Sequence, residues 1–340
     1  MDHKAKTYCV TGGTGFLGGR VATSLLEAGH SVHVLARTPH KALPLRKAGA
    51  VVFRGDITDK SSIVDAMDGC DGVFHIAGDI SVGPKNVASQ RDTNIRGTHN
   101  VLSLMRELRI PKGVYTSTTF INSDTKGVEA DETYYFEDRH LSDYEQSKWE
   151  SHYKVAKPFI FNGLPLVITM PSLIYGPGDN SPFADSLVSM LKGRLPFLPT
   201  ETAHTWAHIK DVAHGHLLAM EKGRVGESYI LGGATHRVID VFAKAALMSR
   251  RRPPPIHLSP RVMRFLSSLV SVTGDLLPLP SHYSAENLGL NAGTTYISTS
   301  EKAIRELGYS YRSIDDGLKD TMVDVANRIS RARQPEQSRK

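Results

Sequence analysis

Thr7-Tyr8-Cys9-Val10-Thr11-Gly12-Gly13-Thr14-Gly15-Phe16-Leu17-Gly18 is the stretch that decides the fold. Tyr8 and Val10 belong to a short apolar run of the kind that forms a buried strand, and Val21, Leu25 and Leu26 continue it at helical spacing. A strand, a glycine-rich turn and a helix in that order suit a dinucleotide pyrophosphate. Gly12 permits a tight turn, Gly15 removes the Cβ that would keep phosphates from the backbone, and Gly18 lets the helix pack closely on the strands. Thr14, Phe16 and Leu17 fall in the same turn, where the opening helix offers free N–H groups and the positive end of its dipole to an anion. The spacing is G-x-x-G-x-x-G.

Working outward, a second strand, Ser31 to Ala36, ends at Arg37. An acidic residue near this point marks NAD sites, and an arginine accommodates the 2′-phosphate of NADP. No Asp or Glu occurs between Gly29 and Gly49, whereas Arg37, His40 and Lys41 crowd the place. A guanidinium gives phosphate bidentate, charge-assisted bonds, so the expected cofactor is NADP(H), ahead of NAD, with Arg37 and Lys41 at its phosphate.

The chain then alternates. A helix over 41–48 and a strand over 51–54 lead to Asp56 and Ile57, placed to meet the adenine, although Asp56 also suits a helix cap. A strand over 72–76 runs into Ala77 and Gly78, small enough for a cofactor to lie against the backbone. A long helix, 90–108, carries Asn94 beside Gly97. Strands over 113–117 and 164–170 follow, the second reaching Pro171. Strands alternating with helices predict an α/β, Rossmann-type, doubly wound parallel sheet, with ligands at the carboxyl ends of the strands. After Gly178 prolines break the pattern; the expectation is a smaller substrate-binding region over 179–330, with 203–233 returning to the first unit of 1–178, and a disordered tail over 331–340.

Composition fits an ordinary globular protein of 340 residues, 40% hydrophobic and 22% charged. The net charge of +6 is not arranged as a basic stripe interleaved with aromatics, so nucleic acid is not the expected partner. Cys9 and Cys70 read as buried hydrophobes without metal-ligand spacing. No leader is visible at the N-terminus and no run of about 18 apolar residues exists, so the expected location is the cytoplasm, as monomer or homodimer. The apolar stripe Val262, Phe265, Leu266, Leu269 and Val270 within 259–280 is expected as core, pocket wall or a peripheral membrane contact.

Ser142-Asp143-Tyr144-Glu145 has the form of a capping box, which puts Tyr144 and Lys148 one helical turn apart on one face. A free tyrosine is a poor acid–base group at neutral pH, and a nearby ammonium lowers its pKa. The pair then serves proton exchange with a carbonyl or alcohol oxygen, with a hydroxyl from Thr118 or Ser117 completing the site.

Taken together, the fingerprint Thr11 to Gly18, Asp56, His75 to Gly78, Asn94, Ser117-Thr118, Tyr144/Lys148, Pro171 to Gly178 and His208 to Val212 resemble the extended short-chain dehydrogenase/reductases of the NAD-dependent epimerase/dehydratase family. Within it the chain is similar to the dihydroflavonol-reductase-like and hopanoid-associated epimerase-like branch. The resemblance implies a catalytic triad of Thr118, Tyr144 and Lys148 and a role for Asn94 in positioning a water or the active-site helix. It departs from the family at Met170, where an arginine is frequent, and in a diphosphate clamp, for which Lys192, Arg194 and Arg237 are unconvincing candidates. The implied activity is an NADPH-dependent reductase, or the reverse dehydrogenase, on a ketone or secondary alcohol of a small molecule. The alternatives are a nucleotide-sugar epimerase or dehydratase and a non-catalytic NADP-binding regulator. Expected substrate contacts are Phe120, Tyr175, residues 80–84 and variable segments including 278–295.

Overall fold

In the computed structural model, residues 5–81, 86–273 and 283–337 are described. The strands are β1 Thr7–Thr11, β2 Ser31–Ala36, β3 Val51–Arg54, β4 Gly72–His75, β5 Gly113–Thr116, β6 Leu166–Pro171, β7 Leu173–Tyr175, β8 Phe197–Pro199, β9 Ala203–His208, β10 Ser228–Leu231, β11 Thr235–Arg237, β12 Ile256–Leu258 and β13 Thr295–Tyr296. Seven of them form one sheet in the order β10-β6-β5-β4-β1-β2-β3. All its pairings are parallel.

Parallel strands need crossovers that cover both faces, which is why every residue of β4 and β6 is buried. One face packs Val21, Leu25, Phe74 and Val212; the other packs Cys9, Leu102, Met105 and Tyr115. Both cysteines are free and buried, as expected of small hydrophobes. The strand order reverses between β1 and β4, and a crevice opens beyond their carboxyl ends at that point.

A smaller sheet, β11-β9-β13 with β7 paired to β9, stands at that end, and β8 pairs with β12. Its core gathers Tyr175, Trp206, Phe242 and Leu318. The sequence pattern misses β7, β8, β11, β12 and β13, which are only two or three residues long. The helix expected over 90–108 is one rod of Val87–Arg91 and Thr98–Glu107 joined by a π-helical turn, Asp92–Gly97, that contains Asn94. The helix Ile314–Gln337 extends into the segment expected as a disordered tail, and residues 338–340 lie outside the described ones. No helix among the described residues is long and apolar enough to cross a membrane.

Candidate functional site

A cleft of about 690 Å³ runs from the glycine turn after β1, past the ends of β4, β5 and β6, to β9 and the segment 286–291. Its cofactor end starts from Gly12, whose φ of +73° suits glycine and whose added Cβ would sit 2.7 Å from the amide N of Ala77. Gly15 is the N-cap of the helix Phe16–Glu27 and contributes no side-chain acceptor. The unsatisfied N–H groups that open this helix therefore suit an anion. Gly18 is fixed by the turn itself, since a Cβ there would collide with the Gly12 carbonyl.

Buried hydrogen bonds pin the two strand ends to each other. Thr11 Oγ1 accepts from the amides of Ile76 and Ala77, both at 3.1 Å, and so donates to His75 Nδ1 at 2.9 Å. His75 Nε2 then donates to Thr98 Oγ1 at 3.0 Å, and Thr98 donates to the Asn94 carbonyl at 2.7 Å. Burial, helped by the Lys148 charge, pushes the His75 pKa down to about 3, so the ring is neutral as this network requires.

Gly12, Thr14, Gly15, Phe16, Leu17, Arg37, Asp56, Ile57, Ala77, Gly78 and Pro171 all lie on the cleft wall. Arg37 is exposed beyond the end of β2. Asp56 is turned partly to local use: its Oδ1 accepts from the Thr58 amide at 3.0 Å and the Thr58 hydroxyl at 2.9 Å. Lys41 is not on the wall. Ala42 is buried in the single turn Pro39–Ala42, and this leaves Lys41 exposed. The glycine cradle, the uncapped helix and the small residues at 77 and 78 fit a nicotinamide dinucleotide.

Thr118, Tyr144 and Lys148 all line the cleft. Ser142 caps the helix Asp143–Glu150 by accepting from the Glu145 amide at 3.2 Å. The capping box is not reciprocal: Glu145 Oε2 accepts from the Leu141 amide at 3.0 Å and the Ser123 hydroxyl at 2.8 Å. Glu145 Oε1 accepts from Tyr296 Oη at 2.7 Å, and burial raises the pKa of this carboxyl. The Thr118 hydroxyl donates to the Pro171 carbonyl at 3.3 Å and accepts from the Phe120 amide at 3.2 Å, and its nearness to Tyr144 acts to lower the phenol pKa. Ser117 is instead paired with His152 Nδ1 at 2.9 Å.

Lys148 behaves differently from the expectation. Its Nζ donates to the Thr116 carbonyl at 2.9 Å and to Tyr115 Oη at 3.1 Å. With the ammonium held there, burial dominates at Tyr144 and raises its pKa against the lowering effect of the Thr118 hydroxyl. The expected lowering by Lys148 is thus not found in this arrangement.

Asn94 ties the parts together. Its Nδ2 donates to the Asp79 carbonyl at 3.0 Å and to Ser147 Oγ at 2.9 Å, and its Oδ1 accepts from the Asp79 amide at 2.8 Å. Ser147 in turn donates to the Tyr144 carbonyl at 2.9 Å. A parallel chain runs from Lys148 through Tyr115 Oη to Ser151 Oγ at 2.8 Å and on to the Asn94 carbonyl at 2.6 Å. The π-helical turn aims Asn94 at both chains. Sequence reasoning missed Tyr115, Ser147 and Ser151; Ser147 and Ser151 lie three and seven residues after Tyr144, which helical spacing would have exposed.

Beyond Tyr144 the cleft widens into an apolar chamber. Phe120 is on its wall, with ring centroids 6.5 Å from Tyr144, 4.6 Å from Tyr296 and 6.1 Å from His204. Tyr175 is not on it. At 1% exposure it is core, packed on Trp206 and His208 and against Gly317, where a Cβ would strike its hydroxyl. Ile80 lines the cleft, as do Glu286 and Leu288, whereas residues 82–84 and 278–282 lie outside the described ones. Lys192, Arg194 and Arg237 are absent from the wall, and Arg237 is paired with Asp240 at 2.8 Å. Met170 is buried in β6.

The model described as the NAD dependent epimerase/dehydratase family matches residues 8–232. A Synechocystis protein named after dihydroflavonol 4-reductase is 30% identical over 328 residues, covering 94% of each chain. A Mycobacterium tuberculosis protein named 3 beta-hydroxysteroid dehydrogenase/Delta 5-->4-isomerase is 30% identical over 324 residues, covering 88% of this chain and 85% of its own. Among solved structures, a nucleoside-diphosphate-sugar epimerase from Pseudomonas aeruginosa superposes with a TM-score of 0.78 at 23% identity, over 96% of this chain and 99% of that one. This last likeness concerns the fold.

Proposed function

We propose, from the premise that the chain belongs to the NAD-dependent epimerase/dehydratase family, that it is an NADP(H)-dependent reductase of a ketone, or the corresponding dehydrogenase of a secondary alcohol. The observation that carries this reading is that Thr118, Tyr144 and Lys148 line one cleft with the glycine cradle and the apolar chamber. Arg37 at the rim, with no carboxylate between Gly29 and Gly49, supports NADP over NAD.

When bound, the nicotinamide supplies or takes up the hydride at the carbonyl carbon. Tyr144 holds at its Oη the proton for the carbonyl oxygen; its raised pKa keeps that proton in place at neutral pH. The Thr118 hydroxyl, on the cleft wall with Tyr144, orients the same oxygen. Lys148, one helical turn from Tyr144, remains oriented by Thr116 and Tyr115. Asn94, acting through Ser147, is a positioning residue for the Tyr144 helix.

A nucleotide-sugar epimerase or dehydratase would use the same three residues, so the chamber has to discriminate. Among the described residues on the cleft wall the only lysine and arginine are Lys148 and Arg37, so no other described wall residue offers a lysine or arginine to a sugar diphosphate. The smaller C-terminal region over 179–330 is read as the substrate-binding part. The test is Tyr144→Phe, which removes one oxygen. Turnover of a ketone with NADPH is expected to fall about 10²- to 10⁴-fold while NADPH still binds. Near-normal turnover would remove Tyr144 from the proton step.

A further inference from the structure

Among the polar side chains on the cleft wall that the reaction above does not use, which include Asp179, Asn180, Glu286 and Asn291, one is an imidazole. His204 lies on the wall and is 7% exposed. Its Nδ1 is sealed in the wall without a hydrogen-bond partner, and Nε2, also without a partner among the described residues, is the nitrogen a ligand in the cleft can reach. Polar groups in protein interiors are almost always paired, so a buried imidazole nitrogen without a partner calls for a reason.

The backbone shows why the ring cannot turn away to find one. In β9 the alternation of side chains sends His204 and Trp206 to the cleft face, while Thr205 bonds Thr235 on the other. The parallel pairing of β13 with β9 sets Tyr296 directly beside His204. Their rings stack at 5.2 Å with an interplanar angle of 3°. Trp206 meets the imidazole edge-on at 5.9 Å. The ring is clamped between aromatic neighbours, and burial pushes its pKa down to about 4, so at neutral pH it is uncharged. A neutral imidazole donates from one nitrogen and accepts at the other, which lets it pair with a hydroxyl or a carbonyl.

The surroundings restrict the rest of the ligand. The same cleft wall includes Phe183, Leu195, Phe197, Phe242 and Met263, and Trp206 packs against the imidazole. The Phe120 ring lies 6.1 Å from His204 and 6.5 Å from Tyr144, so the anchor and the reacting carbonyl are close enough to belong to one molecule. Resting on the reductase reading, we propose that His204 is the polar anchor for a bulky, uncharged, otherwise apolar ketone that carries a second oxygen remote from the carbonyl. The ketone end meets Thr118 and Tyr144, the body fills the apolar chamber, and the remote oxygen satisfies the imidazole.

A matched pair of probes tests this: 4-cyclohexylcyclohexanone, and the same ketone with a hydroxyl at the far end of its second ring. Binding is measured by equilibrium dialysis and by Trp206 emission, in wild type, His204→Phe and His204→Gln, with NADPH binding recorded in each. In wild type the hydroxylated ketone is expected to bind about 5- to 100-fold more tightly than its parent, the range for satisfying a buried polar group. His204→Phe keeps an aromatic ring in the stack and should abolish that difference, and His204→Gln should restore part of it. Equal binding of both probes in wild type, or a preference that survives His204→Phe, overturns the anchor. Failure of both probes to bind while NADPH still binds overturns the apolar-ketone chamber. Binding without any reduction of either ketone by NADPH counts against the reductase reading and leaves the anchor standing.

Discussion

Replacing Arg37 by serine separates the two nicotinamide cofactors. Arg37 is exposed beyond the end of β2 and lies on the cleft wall. Among the described wall residues there is no other arginine and no lysine except Lys148, which is held by Thr116 and Tyr115; Lys41 is exposed and off the wall. The loss is therefore not compensated by a neighbour. A hydrogen bond to a charged group is worth about 1.5–3 kcal/mol. Exposure and salt screening reduce this to about 1–2 kcal/mol, or about 5- to 30-fold in the dissociation constant. Arg37→Ser should weaken NADPH by that factor and leave NADH nearly unchanged, measured by titrating nicotinamide fluorescence for both cofactors. The wild-type preference should also shrink between low and high salt. Tighter binding of NADH than NADPH by wild type, or equal weakening of both cofactors in the variant, would refute the assignment of Arg37 to the 2′-phosphate.

Asn94→Ala deletes three hydrogen bonds at a residue 1% exposed, two part-buried ones to Asp79 and a buried one to Ser147. It should lower stability by about 2–4 kcal/mol in denaturant titration. Turnover should fall more than NADPH affinity; an unchanged kcat would remove Asn94 from the positioning of Tyr144. Stability should also depend on acid through five imidazoles with pKa values depressed by burial: His75 and His152 to about 3 and His204, His208 and His216 to about 4. The unfolded chain binds these protons near pH 6.5 and the folded chain does not, so their stabilisation is complete above pH 6.5 and is lost as pH falls towards 4 and 3. Each should add a slope approaching about 1.4 kcal/mol per pH unit in that window, read from urea midpoints between pH 7 and 5. A flat profile over that range contradicts the neutral buried rings.

Much of this architecture is legible in the chain because it is local. β2 and β3 follow from short apolar runs ended by Arg37 and by Gly55-Asp56, and the cradle follows from glycines whose spacing is set within eight residues. Tyr144 and Lys148 are also local, four residues apart on one helix. What escapes is set from far away in sequence. Tyr175 looks like a substrate contact beside a glycine loop, but Gly317 and the helix Ile314–Gln337 bury it. The direction of the Lys148 ammonium depends on Thr116 and Tyr115 in β5, more than thirty residues earlier. His204 reads as one residue of a short strand, and only its pairing with Tyr296 in β13 makes it a clamped ring on the chamber wall.

The central claim is net hydride transfer between NADP(H) and a ketone, and one measurement addresses it directly. The protein is mixed with NADPH carrying deuterium at the transferable C4 position and a panel of bulky apolar ketones and nucleotide sugars, and products are read by NMR. The account predicts a secondary alcohol with deuterium on the carbinol carbon, formed in step with the loss of NADPH absorbance and suppressed in Tyr144→Phe. Conversion of a nucleotide sugar with no net loss of NADPH and no deuterium retained in an alcohol product would contradict it.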